Sequence, residues 1–134
     1  MLLSQINRIN KEDFLKLCVY AAMSNGVFAD EEKETLFSYC REMDIDEHVP
    51  DTSEPFEALI ERICGETSKE EKKIYILELL SFIKSDGTYD EKEQEFMLKV
   101  VTGLKLTKEV LDRFDKILDR YLLIEQEIFA ALAE

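Results

Sequence analysis

Apolar residues along this chain recur at intervals of three and four, and Gly, Pro and Asn cut that rhythm into segments. From Asn10, read as an N-cap, Phe14, Leu17, Cys18, Ala21 and Ala22 mark a first helix that runs into Ser24-Asn25-Gly26. A second helix begins near Asp30 and carries Leu36, Phe37, Cys40 and Met43 on one face. His48-Val49-Pro50-Asp51 breaks the pattern, after which Phe56, Leu59, Ile60 and Ile63 mark a third helix stopped by Gly65. Ser68 and Glu71 form a capping box for a fourth, whose segment Ile74 to Ile83 is apolar almost all round and suits a buried position. It ends at Ser85-Asp86-Gly87. A fifth helix starts at Asp90, with Glu93 completing its capping box, carries Phe96, Met97, Val100 and Val101, and closes at Gly103. Thr107 caps a last region bearing Val110, Phe114, Ile117, Tyr121, Ile124, Ile128 and Leu132. No Gly or Pro interrupts that region, so it is one long helix or two meeting near Asp119-Arg120.

The same pattern occurs twice. Displacing the chain by 61 residues lays Gly26 on Gly87, Ser24 on Ser85, Phe28 on Tyr89, Glu32 on Glu93 and Glu34 on Glu95. Core positions keep their chemical class: Phe14 with Tyr75, Leu15 with Ile76, Leu36 with Met97, Cys40 with Val101, Met43 with Leu104. The exits agree too, with Ile45 and the cap Asp46 falling on Leu106 and the cap Thr107. These matches predict a single all-α domain over 1–134, a bundle of about seven helices. Its repeat units span approximately 14–46 and 75–107, related by a pseudo-twofold axis, with a C-terminal helical region at 107–134.

Charge narrows the range of partners. Thirty acidic residues against 17 basic ones give a net charge of −13, and no basic cluster offers a local exception. Such a surface repels phosphate backbones and anionic lipid heads, which excludes nucleic acid as a direct partner and leaves cations and basic proteins. Solubility alone also accounts for the charge. Cys18, Cys40 and Cys64 are isolated at apolar helical positions, so they read as reduced, small hydrophobes of a cytoplasmic protein. No signal peptide is evident, and the longest apolar stretch is too short to cross a bilayer.

Each glycine turn has an aromatic two residues after the Gly and a Glu six residues after it, which is the second half of an EF-hand loop. The first half is missing, because Ala21 and Met23, or Phe82 and Lys84, stand where oxygen ligands are needed. A weaker divalent-cation site is conceivable from Asp86, Asp90 and Glu93, with Glu32 as the first-unit counterpart. Helix capping accounts for Asp90 and Glu93 more simply, and the helix dipole that favours acids at this point disfavours a cation.

The paired stretches Ser24 to Glu32 and Ser85 to Glu93 resemble the Asp-Gly turn and downstream Glu of TerB-like domains. These are small helical proteins named for bacterial tellurite resistance, and are similar to domains preceding J-domains in membrane-anchored co-chaperones. The resemblance runs from about Asn10 onward. It implies an all-α bundle of about seven helices, a bacterial stress-associated role, and acidic turns suspected of metal contact at Asp86, Glu93 and Glu32. Asn25 departs from the pattern and removes one ligand from the first turn.

Catalytic motifs are missing. His48, the one histidine, lies in an interhelical linker and reads as a solvated or locally capping residue; there is no phosphate loop, nucleophile elbow or Glu-x-x-His pair. The expectation is a protein that is not an enzyme and needs no cofactor, acting as an acidic protein-interaction module. The alternative is a cation-binding regulator that uses the acidic turns. The stripe from Val110 to Leu132, widened by Leu122, Leu123 and Phe129, has two readings. A helix that closes the bundle is favoured, since apolar stripes usually face a core. Docking of a second copy or of another protein's helix is the other, with Tyr121, Ile124, Ile128, Phe129 and Leu132 as the interaction surface.

Overall fold

The computed structural model describes residues 2–3, 10–24, 26, 28–85 and 87–134, and among these it has six α-helices. They are α1 (Lys11–Met23), α2 (Asp30–Glu42), α3 (Phe56–Glu66), α4 (Lys69–Lys84), α5 (Glu91–Gly103) and α6 (Lys108–Ala133). Among the described residues there is no strand. The number is close to the seven or so expected, and the 107–134 region settles as one 26-residue helix.

The centre is the pair α1 and α4. α1 buries Phe14, Leu15, Leu17, Cys18, Val19, Ala21 and Ala22, and α4 buries Ile74, Tyr75, Ile76, Leu79, Leu80, Phe82 and Ile83. Such spread around a helix excludes water from nearly every side, as the apolar segment Ile74 to Ile83 predicts. α2 packs on α1, α5 on α4, α3 over α1 and α5, and α6 over α4 and α5. The rings of Phe14 and Tyr75 meet edge to face at 5.4 Å, and the Tyr75 hydroxyl donates to the Asn10 carbonyl at 2.6 Å. That bond satisfies a buried phenol whose burial drives its pKa up.

Asn10 precedes α1, but its side chain makes no cap bond. Its amide instead reaches Glu71 Oε2 at 3.2 Å and the Glu66 carbonyl at 3.4 Å, tying the start of α1 to α4 and to the end of α3. Ser68 and Thr107 do cap their helices, accepting from the amides of Glu71 and Val110.

Backbone geometry recurs at the 61-residue interval. Gly26 and Gly87 have φ of 103° and 84°, and Asp44 and Lys105 both stand at φ 59°. Behind the last two, Asp44 N–H reaches Arg41 O and Ile45 N–H reaches Cys40 O, while Lys105 N–H reaches Thr102 O and Leu106 N–H reaches Val101 O. Each set is the paired closing bond of a Schellman motif, here with a non-glycine residue in the left-handed position. The exits diverge immediately afterwards: Thr107 starts α6, whereas Asp46 starts no helix and its carbonyl faces the His48 ring.

Candidate functional site

The two glycine turns are built alike. Ser24 Oγ and Ser85 Oγ each donate back to a carbonyl three residues earlier at 2.7 Å, and the Gly26 and Gly87 amides do the same to Met23 and Lys84. Positive φ at both glycines is a conformation that an L side chain adopts only with strain. Phe28 and Tyr89 are half-buried beneath the turns and pack on the core. Asp86 and Asn25 lie outside the described residues.

The carboxylates proposed as cation ligands are committed to the helix starts. Glu93 Oε1 accepts from the Asp90 amide at 2.9 Å, and Asp90 Oδ1 accepts from the Glu93 amide at 2.8 Å. Glu93 is buried, and its carboxyl caps the helix start where the dipole favours an acid. In the first turn Ala29 takes the cap position, and only half the box survives: Glu32 Oε1 accepts from the Ala29 amide at 3.0 Å. Among the described residues no three His, Cys, Asp or Glu side chains are grouped so as to hold a metal ion.

Other polar groups act as fasteners. Arg62 on α3 clasps Asp13 of α1 with two bonds, Nη2 to Oδ1 at 2.8 Å and Nε to Oδ2 at 3.1 Å, and turns its other edge to Glu54. The guanidinium holds the Glu54 carboxyl down at about 2. His48 is no free loop residue: Nδ1 meets the Asp46 carbonyl at 2.8 Å and Nε2 meets Glu12 Oε2 at 2.6 Å, and together these raise its pKa. At the far side Lys84 reaches Asp115 and Asp119 of α6. Burial opposes its charge, but the two carboxylates outweigh burial and its pKa rises. Burial also pushes the Cys18 and Cys40 thiols up, away from reactive thiolate.

The terminal stripe differs from its favoured reading. The buried residues of α6 are Leu111 and Leu118, each one position beyond Val110 and Ile117 of the expected core stripe. Val110, Phe114 and Ile117 are half-buried, and from Tyr121 onward the stripe faces solvent. Tyr121 is 45% exposed, Ile124 55%, Ile128 54%, Phe129 63% and Leu132 78%. The helix closes the bundle with a face adjacent to the stripe, because Leu111, Leu118 and half-buried Leu122 fit over α4 and α5. The five residues picked as an interaction surface are therefore together and uncovered.

Sequence reasoning missed a groove of about 1000 Å³ between α3 and α5, floored by Phe56, Ile60, Cys64 and Leu98. Gly103 and Ile60, both lining it, pack so closely that a Cβ on Gly103 would lie 2.3 Å from Ile60 Cγ2. The signal was Gly103 itself, which stands in the last turn of α5 rather than beyond it.

No protein-family model matches the chain, and no curated protein matches it in sequence. Among solved structures it is similar to the crystal structure of a tellurite resistance protein from Nostoc punctiforme. That likeness has a TM-score of 0.72 at 20% identity, over 95% of this chain and 82% of the other. Among the described residues no helix is long and apolar enough to cross a membrane. The chain thus has the all-helical TerB-like fold of that tellurite resistance protein.

Proposed function

We propose that this chain is a non-enzymatic, stress-associated protein, a single domain made from a duplicated helical unit, that works as an acidic protein-interaction module. The observation that carries the proposal is the exposed apolar surface at the end of α6, where Tyr121, Ile124, Ile128, Phe129 and Leu132 are about half exposed or more. Isolated apolar residues are ordinary on a protein surface, but a contiguous row along one helix marks a docking face. The shared fold with a tellurite resistance protein supports the stress association. Against catalysis, the one histidine is tied to Glu12 and Asp46, and the buried thiols are held protonated.

A cation-regulated protein is the less supported reading, because Asp90 and Glu93 already satisfy each other's helix amides. To test the docking face, a photo-cross-linking residue is placed at position 128 of the full chain and irradiated in the cells that make it. A discrete adduct is expected there and not from exposed position 116 on the same helix. Absence of any adduct at 128, or equal labelling at both positions, contradicts the proposal.

A further inference from the structure

Along α6 the apolar positions Phe114, Ile117, Tyr121, Ile124, Ile128 and Ala131 alternate at spacings of three and four, which is the a and d register of a heptad seam. Buried Leu111 and Leu118 fall at the flanking e positions, so the chain's own core lies beside the seam and touches it at half-buried Phe114, leaving the seam open from Tyr121 onward. The opposite flank, at the g positions, carries Arg113, Arg120 and Glu127, with Glu134 one heptad further on at the helix's C-cap. Charge changes sign half-way along. Arg113 and Arg120 are both exposed, and among the described residues neither has an ion-pair partner in its own chain.

We infer that the occupant of this seam is the α6 of a second copy, running antiparallel. The inference rests on the docking role just proposed for this end of α6 and names its partner. In an antiparallel pair, a positions face d positions, and the register that sets Tyr121 against Ile124 of the second copy also sets Ile117 against its Ile128. The g positions then face one another, so Arg120 meets Glu127 and Arg113 meets Glu134, each pair occurring twice by symmetry. A uniformly basic or uniformly acidic partner would meet like charge along half of the seam. The reversed copy of the same helix meets opposite charge along all of it. A parallel pair is poorer, because Arg120 would face Glu125 but Arg113 and Glu127 would face Leu118 and Leu132. It would also bring two bodies of net charge −13 side by side, whereas the antiparallel pair sends them to opposite ends.

Sedimentation velocity on the full chain at about 100 µM, where a micromolar complex is well populated, should show a dimer. Ile124→Glu with Ile128→Glu should give a monomer of unchanged helical circular dichroism. Arg120→Glu and Glu127→Arg should each weaken the dimer about tenfold, through two reversed pairs, and the double variant should recover most of that loss. A parent chain that stays monomeric overturns the inference. So does a charge-swapped double variant no tighter than the single ones, or Glu127→Arg without effect while Arg120→Glu weakens, which is the parallel outcome. The cross-linker at 128 separates this inference from the functional reading beneath it. An adduct of twice the chain mass supports the pair, one of any other mass overturns the pair and leaves the interaction module standing, and no adduct overturns both.

Discussion

α3 and α6, the third helices of the runs α1–α3 and α4–α6, cover the centre of the bundle differently. α3 has 11 residues and buries Leu59, Ile60 and Ile63 among them. It is reached through a long connector, 43–55, pinned to α1 by His48 on Glu12 and to the Asp13–Arg62 clasp by Glu54. α6 follows a connector of only four residues, 104–107, runs for 26 residues, and buries just Leu111 and Leu118. Lys84 fastens its middle through Asp115 and Asp119, and beyond Leu122 it has left the bundle. Closing the fold uses about three turns in each case. Beyond that α6 buries no further residue and carries exposed Tyr121, Leu123, Ile124, Ile128, Phe129 and Leu132.

The comparison predicts the largest effects where the third helices cover the centre. Leu59→Ala on α3 and Leu118→Ala on α6 should each cost about 2–5 kcal/mol in urea unfolding, while Ile128→Ala should stay within about 0.5 kcal/mol at concentrations where the chain is monomeric. A large loss from Ile128→Ala would put the end of α6 in the core.

Next comes the contact that α5 makes with α3. Gly103→Ala should cost about 1–3 kcal/mol, because Ile60 Cγ2 occupies the space its Cβ needs. The position 61 residues earlier, Glu42, is exposed, and Glu42→Ala should cost less than Gly103→Ala. Equal effects would erase the asymmetry between α2 and α5.

The turns should behave as equals. Gly26→Val and Gly87→Val should each cost at least about 1 kcal/mol, for no atom crowds either site and the loss is conformational strain alone. A tolerant Gly87 with an intolerant Gly26, or the reverse, would show that the two turns are not equivalent.

The smallest effect concerns the long connector. His48 has a folded-state pKa raised above 6.5 by the Asp46 carbonyl and Glu12, so its stabilisation is fully present below the unfolded value and fades as pH rises through the folded one. Its side chain is 39% exposed, so His48→Gln should cost no more than about 0.5 kcal/mol at pH near 6 and nothing at pH near 9. A pH-independent loss would assign His48 to packing.

Helix placement was legible in the sequence because periodicity and punctuation agreed: α2 and α5 start and stop where the glycine turns, capping residues and 61-residue match put them. The face of α6 was not. Val110 with Leu111 and Ile117 with Leu118 offer two adjacent apolar stripes, and only the packing of α4 and α5 decides between them. The Asp13–Arg62–Glu54 clasp was equally hidden, since each member sits at an ordinary polar position and their meeting is tertiary. Asn10 has the right type for a cap, but Glu71 of α4 and the Glu66 carbonyl at the end of α3 take its amide. Of the candidate cation ligands, type and spacing already read Asp90 and Glu93 as helix caps, and the structure adds the paired amide bonds themselves, at 2.8 and 2.9 Å.

The central claim is that the end of α6 serves partners and not the fold. Its most direct test is to remove residues 123–134, keep Leu122, and follow urea unfolding together with sedimentation. The account predicts a cooperative transition within about 1 kcal/mol of the full chain, both compared at concentrations too low for association, together with loss of self-association at high concentration. A truncated chain that unfolds without cooperativity, or one that stays folded and still forms the dimer, would contradict it.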